Sequence, residues 1–420
     1  IALSILLLGS ILYFAFSAPY LVAHIFMFSL LADTFVGAKA NMESHAPIIG
    51  ELTLVLLTGF AIVKFLYNFD KKQKFPSFIV SWIPFLLWAL LVGLIIAIDR
   101  IKIISYWKDY YAGFLALCIT FYSIKNKTQL KSLIYGIIIW GLILSFIEIK
   151  ILVDLGGFAT GFVALFIRKN LLSVGWGKSN YLASFYVIII PLAIGYLFYT
   201  NSRRLKILIT ISLVIMVFAT ILTLSRGGIL ALAIALIILF SRVLKAKTLI
   251  PFAIILVIVS LVILLNPLTY VLFHGISTLD TSVSTFSRIG FYEEVWKAFL
   301  NNPITGVGVG NLNYYANFIS VDSSPAAHNI LLGALGEVGI VGTIFFIAIF
   351  GSLLRHAFSG FKNESNEAIR IFRWCIIASF IGGIMHSMVE PIFDGLQFSI
   401  MFWTIAGIYM RLDLLKVSDI

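Results

Sequence analysis

The chain has 420 residues, 61% hydrophobic and 12% charged, with a mean hydropathy of +1.05. Soluble proteins carry about 25% charged residues, so a soluble enzyme is excluded and a polytopic membrane protein is expected. The formal net charge of +11 falls largely in short connectors between apolar runs. Positive-inside bias accounts for it there, and no nucleic-acid partner is implied.

Within hydrocarbon each span must satisfy its own backbone, and runs of this length choose helices over barrel strands. The expected fold is therefore all-α, with about twelve transmembrane helices. Residues 1–35 are apolar and broken at Pro19, which gives one kinked span or two short ones. Further spans read as 47–67, 77–97, 109–124, 130–149, 180–199, 205–223, 226–241, 248–266, 328–354, 369–389 and 395–412. Cys118 and Cys375 both fall inside such runs, so no disulfide framework is expected. The halves show no internal repeat, against an inverted-repeat transporter.

Basic connectors at 70–74, 125–127, 202–204, 242–247 and 355–373 alternate onto one side, read as cytoplasmic. The other side receives 33–46, 98–108, 150–179, 267–327 and 390–394. Three regions follow: N-terminal spans to residue 266, a large outer loop at 267–327, and C-terminal spans from 328 to 420. Inside the loop, Phe291, Val295, Ala298 and Phe299 recur at helical spacing, with Glu293, Glu294 and Lys297 on another face. An amphipathic helix lying on the membrane is the ordinary reading of that piece. Asn302-Pro303 stops it. Gly306, Gly308 and Gly310 follow as a turn: the series lacks the Lys-Ser/Thr of a phosphate loop.

Ionisable groups at the membrane boundary are costly and become functional candidates. Arg226, in Ser225-Arg226-Gly227-Gly228, sits between two spans joined by almost nothing. It either snorkels to the headgroups or binds an anionic lipid group. Arg288 opens the loop helix, where a cation is unfavourable unless an anion binds beside it; pairing with Glu293 or Glu294 is the plainer alternative. His328 stands where the loop re-enters the membrane, as a core histidine or as a general base near neutral pH. Asn329 beside it could orient a sugar or the imidazole. His386 and Glu390, four apart, read as a supporting pair on one helix face or as a polar cap. The scattered histidines give no metal-ligand spacing, and no Ser-His-Asp or Cys-His arrangement is legible.

Several of these stretches together resemble the O-antigen ligase and polymerase superfamily of bacterial membrane glycosyltransferases. They are Leu224-Ser225-Arg226-Gly227-Gly228, Ser287-Arg288 through Trp296-Lys297-Ala298, and Asn302-Pro303-Ile304-Thr305-Gly306-Val307-Gly308. His328-Asn329-Ile330-Leu331 and Gly336-Glu337-Val338-Gly339-Ile340-Val341-Gly342 complete the set. The resemblance covers roughly residues 168–345. Arg168 to Asn180 also resembles the family's Arg…Asn-Pro-Asn region, although Lys178-Ser179-Asn180 lacks the proline.

The resemblance implies a GT-C-like fold and a polyprenyl-diphosphate-linked glycan as donor, used on the outer face of the cytoplasmic membrane. The glycan would pass to a hydroxyl of a glycan, glycolipid or other acceptor, with inversion and with no metal or other cofactor. Arg226 and Arg288 would hold the diphosphate and His328 would accept the hydroxyl proton; Asn329, His386 and Glu390, by their positions, and Arg168 and Asn180, by the resembling segment, are candidate supporting residues. The alternatives are a repeat-unit polymerase, protein-directed transfer, and a transporter or flippase for the same lipid-linked glycan. The last predicts ionisable residues along a midplane path, whereas the informative charges cluster at one face.

Overall fold

The computed structural model describes residues 77–157, 172–174, 177–243, 280–315, 328–361 and 364–412, with isolated positions in 20–29 and 54–58. Among these the fold is all-α. The helices are α1 (Ser77–Ile96), α2 (Arg100–Ser123), α3 (Lys127–Asp154), α4 (Ser179–Tyr199) and α5 (Arg203–Leu222). They continue with α6 (Arg226–Val243), α7 (Asp280–Asn301), α8 (Ile330–Ser359), α9 (Glu367–Ser387) and α10 (Leu396–Leu412). Seven helices among the described residues, α1, α3 to α6, α8 and α9, are long and apolar enough to cross a membrane. The runs 1–35, 47–67 and 248–266 lie largely outside the described residues.

The bundle is built around α4, whose span is 78% buried against 33% for α5 and α6. It packs along α9, and α2 packs along α10. Small residues allow the close approach. Gly195 lies against Phe372 and Cys375, and Gly382 against Val187 and Ala235. With no hydrophobic driving force inside lipid, such packing and interhelical hydrogen bonds hold spans together. Ser379 supplies one, its hydroxyl donating to the Ile188 carbonyl at 2.7 Å.

The structure corrects two expectations. Residues 98–108 were expected as a loop, yet α2 already begins at Arg100. Asp99 caps it, accepting from the Ile101 and Lys102 amides, and Trp107 donates its indole N–H to the Leu86 carbonyl at 2.9 Å. A cap and a buried aromatic face outweigh the charges that made this stretch read as a loop. The run 328–354 was expected as one unbroken crossing. Instead α8 breaks at Gly339, whose φ of 65° and ψ of −172° belong to no helix.

The break is filled by the loop that follows α7. The freed carbonyls of Gly336 and Glu337 accept from the amides of Val307 (2.9 Å) and Gly308 (2.8 Å), and the Ile340 amide donates to Pro303 at 2.9 Å. The Gly310 amide donates to the Glu337 carboxylate at 3.0 Å. Gly306, Gly308 and Gly310 all have positive φ. The glycine series is thus a turn, as its sequence reads, and its purpose is to satisfy a broken helix. Asn311 ties the same loop to the α1–α2 corner: its side chain accepts from the Asp99 amide at 2.8 Å and donates to the Asp99 carbonyl at 3.2 Å.

Antiparallel register between α1 and α8 follows from Ser81–Ser352 (3.0 Å) and from the Trp88 indole donating to Val338 (2.9 Å). It puts the start of α8, the loop after α7 and the α1–α2 corner at one end of the bundle. At the other end of the bundle, among the described residues, Arg373 lies 3.6 Å from Glu364 and over the Tyr409 ring.

Candidate functional site

The helix ends that carry chemistry converge at the loop end. His328 precedes α8, and Asn329 caps that helix, its amide oxygen accepting from the Leu331 and Leu332 amides at 3.0 Å each. This commits the Asn329 oxygen to the cap. His328 itself has φ 43°, a left-handed conformation that bulky residues rarely adopt. The other non-glycine residue with positive φ among those described is Leu224, at 50°. It forms the sharp corner between α5 and α6. Ser225 then caps α6, its hydroxyl accepting from the Gly228 amide at 3.2 Å, and Arg226 opens the helix. One of these positions is itself a candidate base and the other lies two residues before Arg226, and such conformations concentrate at functional sites.

The turn after α9 joins the two. Glu390 presents one carboxylate oxygen to His328 Nδ1 at 3.4 Å and accepts a hydrogen bond from Asn180 Nδ2 at 3.0 Å through the same oxygen. Asn180 lies in the first turn of α4. Gly227, next to Arg226, leaves room for Val389 and His386: a Cβ there would stand 2.6 Å from Val389 and 3.5 Å from the His386 ring. The corner holding Arg226 therefore abuts the turn that presents Glu390 to His328. From α7, the Phe291 ring lies 6.4 Å from the His328 ring, and Arg288 stands three residues earlier on that helix.

One sequence expectation changes in detail. His386 and Glu390 do not share a helix face, because α9 ends at Ser387. Glu390 sits in the following turn, its amide held by the His386 carbonyl at 3.0 Å, and His386 is buried under Gly227. Arg168 lies outside the described residues. The carboxylate set beneath the loop carries no signal in the sequence. Asp394, in a short turn at Ile392–Asp394, accepts from the Tyr110 hydroxyl at 3.0 Å, and Glu337 is close enough to share its field. No spacing signals the pair, because Tyr110, Glu337 and Asp394 come from three distant segments.

Burial pushes the Asp394 carboxyl up from 3.8 to about 6, with the Tyr110 hydrogen bond opposing the shift. The folded group therefore holds its proton where the unfolded one has lost it. Stability contributed below the unfolded carboxyl's range is therefore lost as pH rises through the folded group's raised range. Thermal unfolding in detergent should show wild type losing stability between pH 4 and pH 7, and Asp394→Asn a visibly flatter profile. Identical profiles would show that Asp394 titrates normally.

Residues 211–347 match the sequence model of the family described as O-antigen ligase. That stretch contains Arg226, Arg288 and His328, and ends before Glu390. No curated protein matches the chain. With the seven apolar helices, the match supports membership of the O-antigen ligase superfamily, as a multi-pass membrane protein with a role in glycan transfer.

Proposed function

We propose that the protein moves a glycan from a polyprenyl-diphosphate-linked donor to an acceptor hydroxyl on the outer face of the cytoplasmic membrane. The observation that carries the reading is the meeting of His328, Glu390 and Asn180 beside the helix start that bears Arg226.

In this reading the acceptor hydroxyl oxygen attacks the anomeric carbon as the bond to the diphosphate breaks. The hydroxyl proton passes to the imidazole of His328, and polyprenyl diphosphate leaves. Glu390 faces Nδ1, which leaves Nε2 to take the proton and places a carboxylate against the imidazolium that forms. Asn180 holds that carboxylate in place. Arg226 and Arg288 supply cations for charge developing on the leaving group, a task fixed guanidiniums suit because their forks match phosphate oxygens. The donor is already activated, so no nucleotide is consumed.

Purified protein in liposomes, given a polyprenyl-diphosphate oligosaccharide and candidate acceptors, tests the proposal. One block added to a separate acceptor is the expected product. A ladder of repeats on the donor lipid would make the protein a polymerase, and movement of intact donor between leaflets without transfer would overturn the reading. In the same assay Arg226→Ala should slow transfer by about 10²–10³, with Arg226→Lys recovering part of the loss. Unchanged rates in Arg226→Ala would remove that residue from the site.

A further inference from the structure

Helix α7 has three faces. At about 100° per residue, Phe291, Val295 and Ala298 fall on one third, Tyr292, Trp296, Phe299 and Leu300 on the next, and Glu293, Glu294 and Lys297 on the last. The first face is used. Val295 and Ala298 are buried with Val307 and Leu312, and Phe291 lies by His328. The polar face carries its own ion pair, Lys297 to Glu294 at 2.6 Å. Among the described residues the second apolar face has no such cover: Trp296 is 47% and Leu300 57% exposed.

This stripe does not end at the helix. It continues to Ile304, 61% exposed, in the loop bound to the α8 break, where the Ile340 amide donates to Pro303. Ile340 in turn heads the exposed series Ile340, Ile344 and Ile347 (42%, 56% and 49%). Spacings of four and three residues place those on one side of a membrane-capable span. Exposed apolar side chains thus extend from one side of α8 through Ile304 to Leu300 and Trp296, with Trp at the end away from the α8 span. Indole rings are enriched at the membrane–water boundary, where one edge is apolar and the other wet.

We propose that α7 is an interfacial helix whose Tyr292–Trp296–Leu300 face lies in the headgroup–acyl boundary of the bilayer. The partner of this surface is lipid. The helix meets the membrane with one apolar face, the end of α8 with the other, and water with Glu293, Glu294 and Lys297. Because the same helix carries Arg288 and Phe291, its seating fixes the height of the His328 site above the bilayer. The inference is independent of the catalytic reading.

The test places nitroxide labels on single cysteines replacing Glu293, Trp296, Lys297 and Leu300, in vesicles of phosphatidylethanolamine and phosphatidylglycerol. The unsubstituted protein serves as the blank for Cys118 and Cys375. Leu300 and Lys297 are exposed, so these substitutions leave the fold intact. Labels at 296 and 300 should collide severalfold more with oxygen than with a water-soluble nickel chelate, and labels at 293 and 297 the reverse. Equal aqueous collision at all four positions would overturn the proposal. Shielding of 296 and 300 from both reagents would also overturn it, showing that protein or glycan covers the face.

Discussion

Replacing His328 by alanine is expected to slow glycan transfer by about 10²–10⁴ while donor binding persists. That is the range lost when a positioned general base is removed, and on the proposed reading the diphosphate is held elsewhere, by Arg226 and Arg288. The backbone complicates the alanine variant, because residue 328 has φ 43°. Asparagine tolerates the left-handed region better than most residues and offers no base. His328→Asn should therefore keep the wild-type unfolding temperature and still lose transfer. Full activity in the asparagine variant would mean that the imidazole packs against Phe291 and does nothing more.

Gly339→Ala is expected to destabilise the protein by more than about 3 kcal/mol, the sum of a backbone conformation closed to alanine and a clash with main chain. A Cβ at Gly339 would stand 2.3 Å from the Ile304 carbonyl oxygen and 2.6 Å from the Thr305 amide. Those atoms cannot retreat without breaking the bonds that Pro303, Val307 and Gly308 make to α8. Gly351→Ala, on the same helix with open space at its Cβ, is the control, with an expected change under about 1 kcal/mol. Thermal unfolding in detergent separates the two, and a Gly339→Ala protein as stable as the control would show that the loop does not fill the break.

The spans were readable because hydropathy reports the transfer free energy of a run, and transfer governs insertion. The runs expected at 180–199, 205–223 and 369–389 lie within a few residues of α4, α5 and α9. Hydropathy is blind to backbone dihedrals, so the break at Gly339 was hidden inside an apolar run. Its partner, the glycine turn, lies some thirty residues upstream, and no local pattern announces a hydrogen bond between them. Charge at boundaries drew attention to Arg226 and His328, since the cost of an ion near lipid is a sequence-level argument. What could not be read was the geometry joining them. Glu390 reaches His328 only because α9 stops at Ser387 and the chain turns. Asn180 arrives from a helix more than two hundred residues away in sequence. The carboxyl of Asp394 carries no sequence signal for a similar reason, since its neighbours Tyr110 and Glu337 come from distant segments.

Single-turnover transfer in proteoliposomes tests the central claim most directly. Labelled polyprenyl-diphosphate oligosaccharide would be loaded onto wild type and His328→Asn, acceptor added, and product sized as donor binding is followed separately. The account predicts equal donor binding, with product formed by wild type and about 10²-fold less or lower still by the variant. Product formed at the wild-type rate by His328→Asn would contradict it.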